Sequence, residues 1–137
     1  MGHFLPSGFI QFKRDMHIFK WRSQLFFLLV LVSCNSAPKL ENFDSDVWAS
    51  DRYGCRGQRS QFYSSLKLQK SKLLGLNEME VVQVLGNPDQ NELYTRNQKF
   101  YYYFLEPSEK CSNPTPSAKR LVLRFNAVGL LKEVSEQ

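Results

Sequence analysis

Hydrophobic and polar positions follow three different rhythms along this chain. Residues 25–32 (LFFLLVLV) form an uninterrupted apolar run of eight. That length suits the h-region of an export signal and falls far short of the roughly 20 residues a spanning helix needs. Across residues 48–72, Trp48, Cys55, Phe62 and Leu66 recur at spacings of seven, seven and four, which is a helical rhythm. Gly54 and Gly57 weaken its middle, so the firm helix is expected from about Gln58 to about Lys70, with Ser71, Lys72 or Gly75 ending it. Residues 76–86 predict a second, short helix. Asn77 is a good N-cap with Glu80 three residues later, and Met79, Val82 and Leu85 make one stripe with Val81 beside it. Gly86 is placed to terminate this helix and Pro88 to prevent its resumption.

After Pro88 the period changes from 3.6 to 2. Glu92 to Thr95 opens a strand, Arg96, Asn97 and Gln98 turn it, and residues 99–105 (KFYYYFL) form a strongly β-prone strand. A loop rich in Pro, Ser, Asn and Lys follows and carries Cys111. Residues 120–125 (RLVLRF) alternate Leu121, Leu123 and Phe125 against Arg120, Val122 and Arg124. Asn126 to Gly129 is turn chemistry, and residues 130–134 close the sheet. Helices followed by a meander predict an α+β fold, two N-terminal helices packed on a three- to four-stranded antiparallel sheet.

The ends and the cysteines add a location. Lys13, Arg14, Lys20 and Arg22 precede the apolar run, and Leu31, Val32, Ser33 and Cys34 follow it. These last four resemble the lipobox of bacterial lipoproteins, in which a small residue precedes a cysteine that takes a diacylglycerol thioether. Two or three acyl chains anchor stably where one does not. A secretory signal with Cys34 incidental, or a true span, are the alternatives. The expected organisation is a signal over residues 1–33, a lipidated and flexible tether over 34–47, and a single domain over 48–137. Met16 and the basic residues after it already make a sufficient n-region, so residues 1–15 read as an extension upstream of the true start. Asn35 is not the Asp that retains many lipoproteins in the inner membrane, which favours the outer membrane, periplasmic side.

Removing the signal changes the electrostatic picture. The chain carries 18 Lys and Arg against 13 Asp and Glu. Four of those bases and one acid lie in residues 1–33, which leaves 14 against 12 and a net +2. The basic character is therefore no argument for a nucleic-acid partner. Both histidines, His3 and His17, also lie in the signal. A mature chain without histidine holds no Ser-His or Cys-His pair and no His-ligated zinc, so neither an enzyme nor a cofactor is implied. With Cys34 taken by lipid, Cys55 and Cys111 are an even pair in an oxidising compartment, and a disulfide is expected between them.

Three groups stand out as candidate sites. Strand alternation puts Phe100, Tyr102 and Phe104 on one sheet face and Tyr101 and Tyr103 on the other. The first set is expected on the helices, and Tyr101 and Tyr103 are expected to be more exposed as a protein-binding face, with plain cross-strand packing as the alternative. Arg52, Arg56 and Arg59, at spacings of four and three, are expected on a solvated helix face where they could meet lipid headgroups or an acidic partner. Asp44, Asp46 and Asp51 cluster loosely, but no tight loop of six to eight oxygens surrounds them, so linker charge is the expectation, with Asp51 starting a helix.

Residues 74–89 (LGLNEMEVVQVLGNPD) resemble the signature of the SmpA/OmlA (BamE-like) small outer-membrane lipoprotein family. Gly75-Leu76 stands at its Gly-Met, Leu85-Gly86-Asn87-Pro88 at its Leu-Gly-x-Pro, Tyr101, Tyr103 and Phe104 at its aromatic strand, and residues 124–129 (RFNAVG) at its closing hairpin. Residues 74–134 are covered. Leu76 replaces a frequent Met, no Tyr-Arg-Pro-Asp-Ile type strand precedes the first helix, and the Cys55 and Cys111 pair is foreign to that pattern. The resemblance implies a non-catalytic lipoprotein anchored in the envelope and acting through protein contacts, as an accessory of the barrel-assembly machinery or of envelope integrity. The same architecture occurs in β-lactamase-inhibitor-like domains, so an inhibitor or sensor domain that binds a specific envelope enzyme is the alternative. The partner is then an envelope protein, with the membrane engaged through the lipid.

Overall fold

Asp44 starts the first helix, α1 (Ser45–Ser50), in the computed structural model, which describes residues 36–137. Its carboxylate accepts from the backbone N–H groups of Asp46 and Val47, 3.0 Å each. A 3-10 turn, Arg52–Gly54, follows, with Tyr53 at a left-handed φ of 58°. The Gly54 to Gly57 stretch does break the helical rhythm, and α2 (Gln58–Leu68) begins where propensity places it. Cys55 consequently lies exposed in the turn instead of on an apolar helix face. A second 3-10 turn, Lys70–Lys72, ends this part of the chain.

Helix α3 (Glu78–Leu85) carries a complete capping box. The Asn77 side chain accepts from Glu80 N–H, and the Glu80 carboxylate accepts from Asn77 N–H. Its buried face is Val81, Val84 and Leu85, whereas Met79, expected on the apolar stripe, is 74% exposed. The Asn77–Leu130 bridge ties the helix start to the sheet, so Met79 points away from it. Gly86 closes the helix at φ 71°, and a Cβ there would sit 2.6 Å from the Ala49 Cβ. Only glycine both adopts that conformation and lets α1 approach so closely.

The sheet is a four-stranded antiparallel meander in the order β1-β2-β3-β4, formed by β1 (Gln90–Tyr94), β2 (Gln98–Phe104), β3 (Arg120–Phe125) and β4 (Leu131–Glu136). Strand β3 sets the inner face through Leu121, Leu123 and Phe125, all fully buried. Register pairs them with Tyr103, Tyr101 and Lys99 of β2. Tyr101, Tyr103, Leu121, Leu123 and Phe125 join Trp48, Leu66, Leu73, Val81 and Leu85 of the helical layer in one core, with Lys99 at its edge. The fold is thus α+β, with helices on one face of an antiparallel sheet.

The expected flexible tether is corrected over its described part. Ala37, Leu40 and Phe43 pack against the core, and the Phe43 ring meets Trp48 at 5.3 Å and Phe62 at 5.8 Å. Three apolar side chains in a polar stretch were enough to dock it. Among the described residues no helix is long and apolar enough to cross a membrane.

Candidate protein-binding face

The β2 alternates fall opposite to expectation. Tyr101 and Tyr103 face the helices, 7% and 0% exposed, and are core residues rather than an open binding face. Each hydroxyl still finds a partner, one at the start of α3 and one at the glycine that closes it. Tyr101 donates to Glu78 at 2.7 Å, and Tyr103 donates to the Gly86 carbonyl at 2.9 Å. Burial and the neighbouring Glu78 carboxylate push the Tyr101 phenol up to about 12. Burial works to raise the Glu78 carboxyl, but hydrogen bonds from Lys99 (2.6 Å) and Tyr101 outweigh it and hold the group below its ordinary value of 4.5. A depressed carboxyl stabilises the fold above its unfolded pKa, and that contribution is lost as pH falls through the lower folded value. Glu78→Gln is therefore expected to flatten the loss of stability on acidification below pH 4.5, measured as chemical-denaturation midpoints across that range. An acid limb as steep as the parent's would assign it to other carboxylates.

Phe100, Tyr102 and Phe104 form the outer face, with Glu92 and Tyr94 from β1 and Arg120, Val122 and Arg124 from β3. None of them belongs to the core shared with the helices. The aromatic rings make a ladder. Tyr94 meets Phe100 edge-on at 6.0 Å, and Phe100 stacks near Tyr102 at 6.4 Å. The Arg120 guanidinium lies 4.3 Å from the centre of the Tyr102 ring, and the Tyr102 hydroxyl donates to Glu92 at 2.9 Å. Tyr102 is buried by these neighbours and not by helices, and its phenol is raised by that burial and then by Glu92. Tyr94 remains 64% exposed and Phe100 half-buried. Beyond Phe104 and Arg120 the ladder opens into a groove of about 470 Å³, walled by Ser108, Glu109, Thr115, Ser117 and Ala118 of the long loop and floored by Gln90 and Gln137.

The three arginines separate. Arg52 stays partly exposed, with Nε 3.4 Å from Asp89 and Nη1 donating to the Asn87 carbonyl at 3.2 Å. Arg56 is exposed and donates to the Ser50 hydroxyl at 2.6 Å. Arg59, expected on a solvated face, is fully buried and ion-paired with the fully buried Asp89 side chain. It also donates to the Trp48 carbonyl at 2.9 Å and lies about 5.4 Å from the Tyr103 ring centre. The break at Gly57 turns α2 so that its first-turn arginine points inward, which no periodicity drawn through residues 48–72 as one helix could show.

Asp51 starts a helix as expected, whereas the buried carboxylate of Asp89 was one that pattern reading missed. Asp51 is buried and accepts from the N–H groups of Arg56, Gln58 and Arg59, capping α2 from seven residues upstream of its start. Asp44 caps α1 and Asp46 lies in its first turn, so the loose acidic cluster serves the starts of the helices. Among the described residues no group of three or more His, Cys, Asp or Glu is placed to hold a metal. Cys55 and Cys111 are joined, with Cα atoms 5.3 Å apart. Leu31, Val32, Ser33 and Cys34 lie outside the described residues. No protein-family model matches the chain, and no curated protein matches it.

Proposed function

We propose that this chain is a non-catalytic, lipid-anchored lipoprotein of the cell envelope, placed at the outer membrane, that acts by binding another protein through the outer face of its sheet. The observation that carries the reading is the ladder Tyr94–Phe100–Tyr102 with Arg120 upon it, on the sheet face away from the helices. Aromatic residues and arginine are the types that anchor protein interfaces, because they bring large rigid area and directed polar tips. A structural reading accounts for Tyr102 and Val122, which the face itself buries, but it does not account for Tyr94, whose ring is ordered against Phe100 and open to solvent.

The lipobox and the resemblance of residues 74–134 to the SmpA/OmlA (BamE-like) family support a role as an accessory of outer-membrane protein assembly or envelope integrity. Capture with a photo-crosslinker at Tyr94, from membranes of the native host, tests this. Recovery of barrel-assembly subunits is expected, and Phe100→Ala together with Arg120→Glu should abolish it while leaving the melting temperature within a few degrees. Recovery of a single envelope enzyme would instead support the inhibitor or sensor reading. Capture untouched by both substitutions would move the interface off this face.

A further inference from the structure

Helix α2 ends in an arrangement that packing does not explain. Leu68 is 87% exposed at its last position, and Lys67, Lys70 and Lys72 surround it in sequence, all exposed. Leu74, 46% exposed, follows two residues after Lys72. Lysines at a helix C-terminus offset its dipole, and Lys67 also covers the Tyr63 ring at 5.9 Å. Neither role needs a bare leucine between them. Lys70 has no acidic partner among the described residues, and Lys72 has one, Glu41 at 3.3 Å.

Glu41 gives the patch its meaning. Its N–H donates to the Gln69 Oε1 at 2.8 Å, and its carbonyl accepts from Gln69 Nε2 at 2.8 Å and from Ser65 Oγ at 2.6 Å. The chain that enters the domain is thus clamped to the end of α2, beside Leu68, which follows Ser65 by one helical step of three. Cys34 precedes Glu41 by seven residues, so even a fully extended chain holds the two within about 25 Å. Ala37, already packed on the core, is three residues from Cys34, a reach of about 10 Å. A cysteine lipidated at that point leaves a short tether, so the end of α2 stays within about 25 Å of the anchor and its lysines can reach the bilayer surface by a small tilt of the domain.

We infer that Lys67, Leu68 and Lys70, with Lys72 and Leu74 beside them, form the surface by which the domain lies against an anionic lipid bilayer, Leu68 entering the headgroup region and the lysines meeting its phosphates. This rests on the reading of Cys34 as the lipidated residue. It orients the aromatic sheet face as a separate surface for protein.

The full chain, exported and purified in detergent, is reconstituted into vesicles of phosphatidylglycerol and phosphatidylcholine with brominated acyl chains. Leu68→Trp is compared with Met79→Trp, a well-exposed position on α3, after subtraction of the parent's Trp48 signal. Flotation of the parent with vesicles reports the anchor, and bromine quenching reports the patch. Quenching of the tryptophan at 68 well beyond that at 79 is expected. Lys67→Gln and Lys70→Gln should each lower the docked-to-undocked ratio about fivefold. A protein that floats while position 68 is quenched no more than position 79 overturns the inference and leaves the anchor standing. Equal quenching in vesicles of phosphatidylcholine alone overturns the role given to the lysines. A protein that fails to float overturns the anchor, and this orientation with it.

Discussion

Asp89→Ala is expected to destabilise the domain by about 3–5 kcal/mol, a large fraction of the stability of a domain this small. The Asp89 carboxylate is where four chain segments meet. It accepts from the N–H of Tyr53 at 3.1 Å and of Phe104 at 2.9 Å, pairs with Arg59, and lies 3.4 Å from Arg52. Its own N–H donates to the Tyr102 carbonyl at 2.9 Å, which fixes it to the sheet. Removing the carboxylate strands two backbone donors and leaves the Arg59 guanidinium buried without a counter-charge. Arg59 is poorly placed to absorb that, since its Nη2 has no partner even in the intact protein. The large cost comes from the orphaned charge more than from the lost attraction. Arg59→Met combined with Asp89→Ala should therefore lose less stability than Asp89→Ala alone. Urea denaturation of the two variants and the parent measures both. A loss under about 1 kcal/mol for Asp89→Ala, in the range of an exposed ion pair, would show that water reaches the site.

Cys55→Ser together with Cys111→Ser is expected to cost about 4 kcal/mol, from the entropy of the 56-residue loop that the bond closes. For a domain of this size that lowers the melting temperature by roughly 15 °C or more. The bond joins the Arg52–Gly54 turn to the long loop between β2 and β3, where local support is thin. Ser108 N–H donates to the Tyr53 carbonyl at 3.1 Å, and Lys110 lies 4.5 Å from the Tyr53 ring centre. Lys110, and after it Arg52, lower the Tyr53 phenol below its ordinary value. Gly54 packs so closely that a Cβ would sit 2.5 Å from the Glu106 carbonyl oxygen. These contacts should persist in part without the bond, so the double variant should fold, with faster hydrogen exchange confined to residues 106–119. Thermal melts with and without reductant, paired with exchange, test both statements. Coincident melts would mean that the unfolded chain already holds the two cysteines close.

Several features of the fold were legible because their causes are local. Asn77, Glu80, Gly86 and Pro88 state the start and end of α3 within one stretch of chain, and the capping box is made by those residues alone. The alternation of Leu121, Leu123 and Phe125 names the inner face of β3, because Arg120 and Arg124 leave no other choice. The Cys55–Cys111 pair follows from counting, once Cys34 is set aside. The face of β2 was not legible. Phe100, Tyr102 and Phe104 are about as apolar as Tyr101, Tyr103 and Leu105, so pattern could not rank the two sets. The antiparallel register against β3 decided it, by placing Tyr101 opposite Leu123 and Tyr103 opposite Leu121. Arg59 was likewise undecidable from its neighbours. Its burial depends on the turn at Gly57 and on a carboxylate 30 residues away, and only packing brings that charge to it. The sequence by itself therefore determined the bounds of α3, the inner face of β3 and which cysteines pair, whereas α1 (Ser45–Ser50), part of which was read as tether, was not legible. Tertiary structure decided which aromatic face meets the helices, which arginine is core, and that Ala37, Leu40 and Phe43 dock on the core. Those outcomes depend on contacts between residues far apart in the chain, where local propensity is silent.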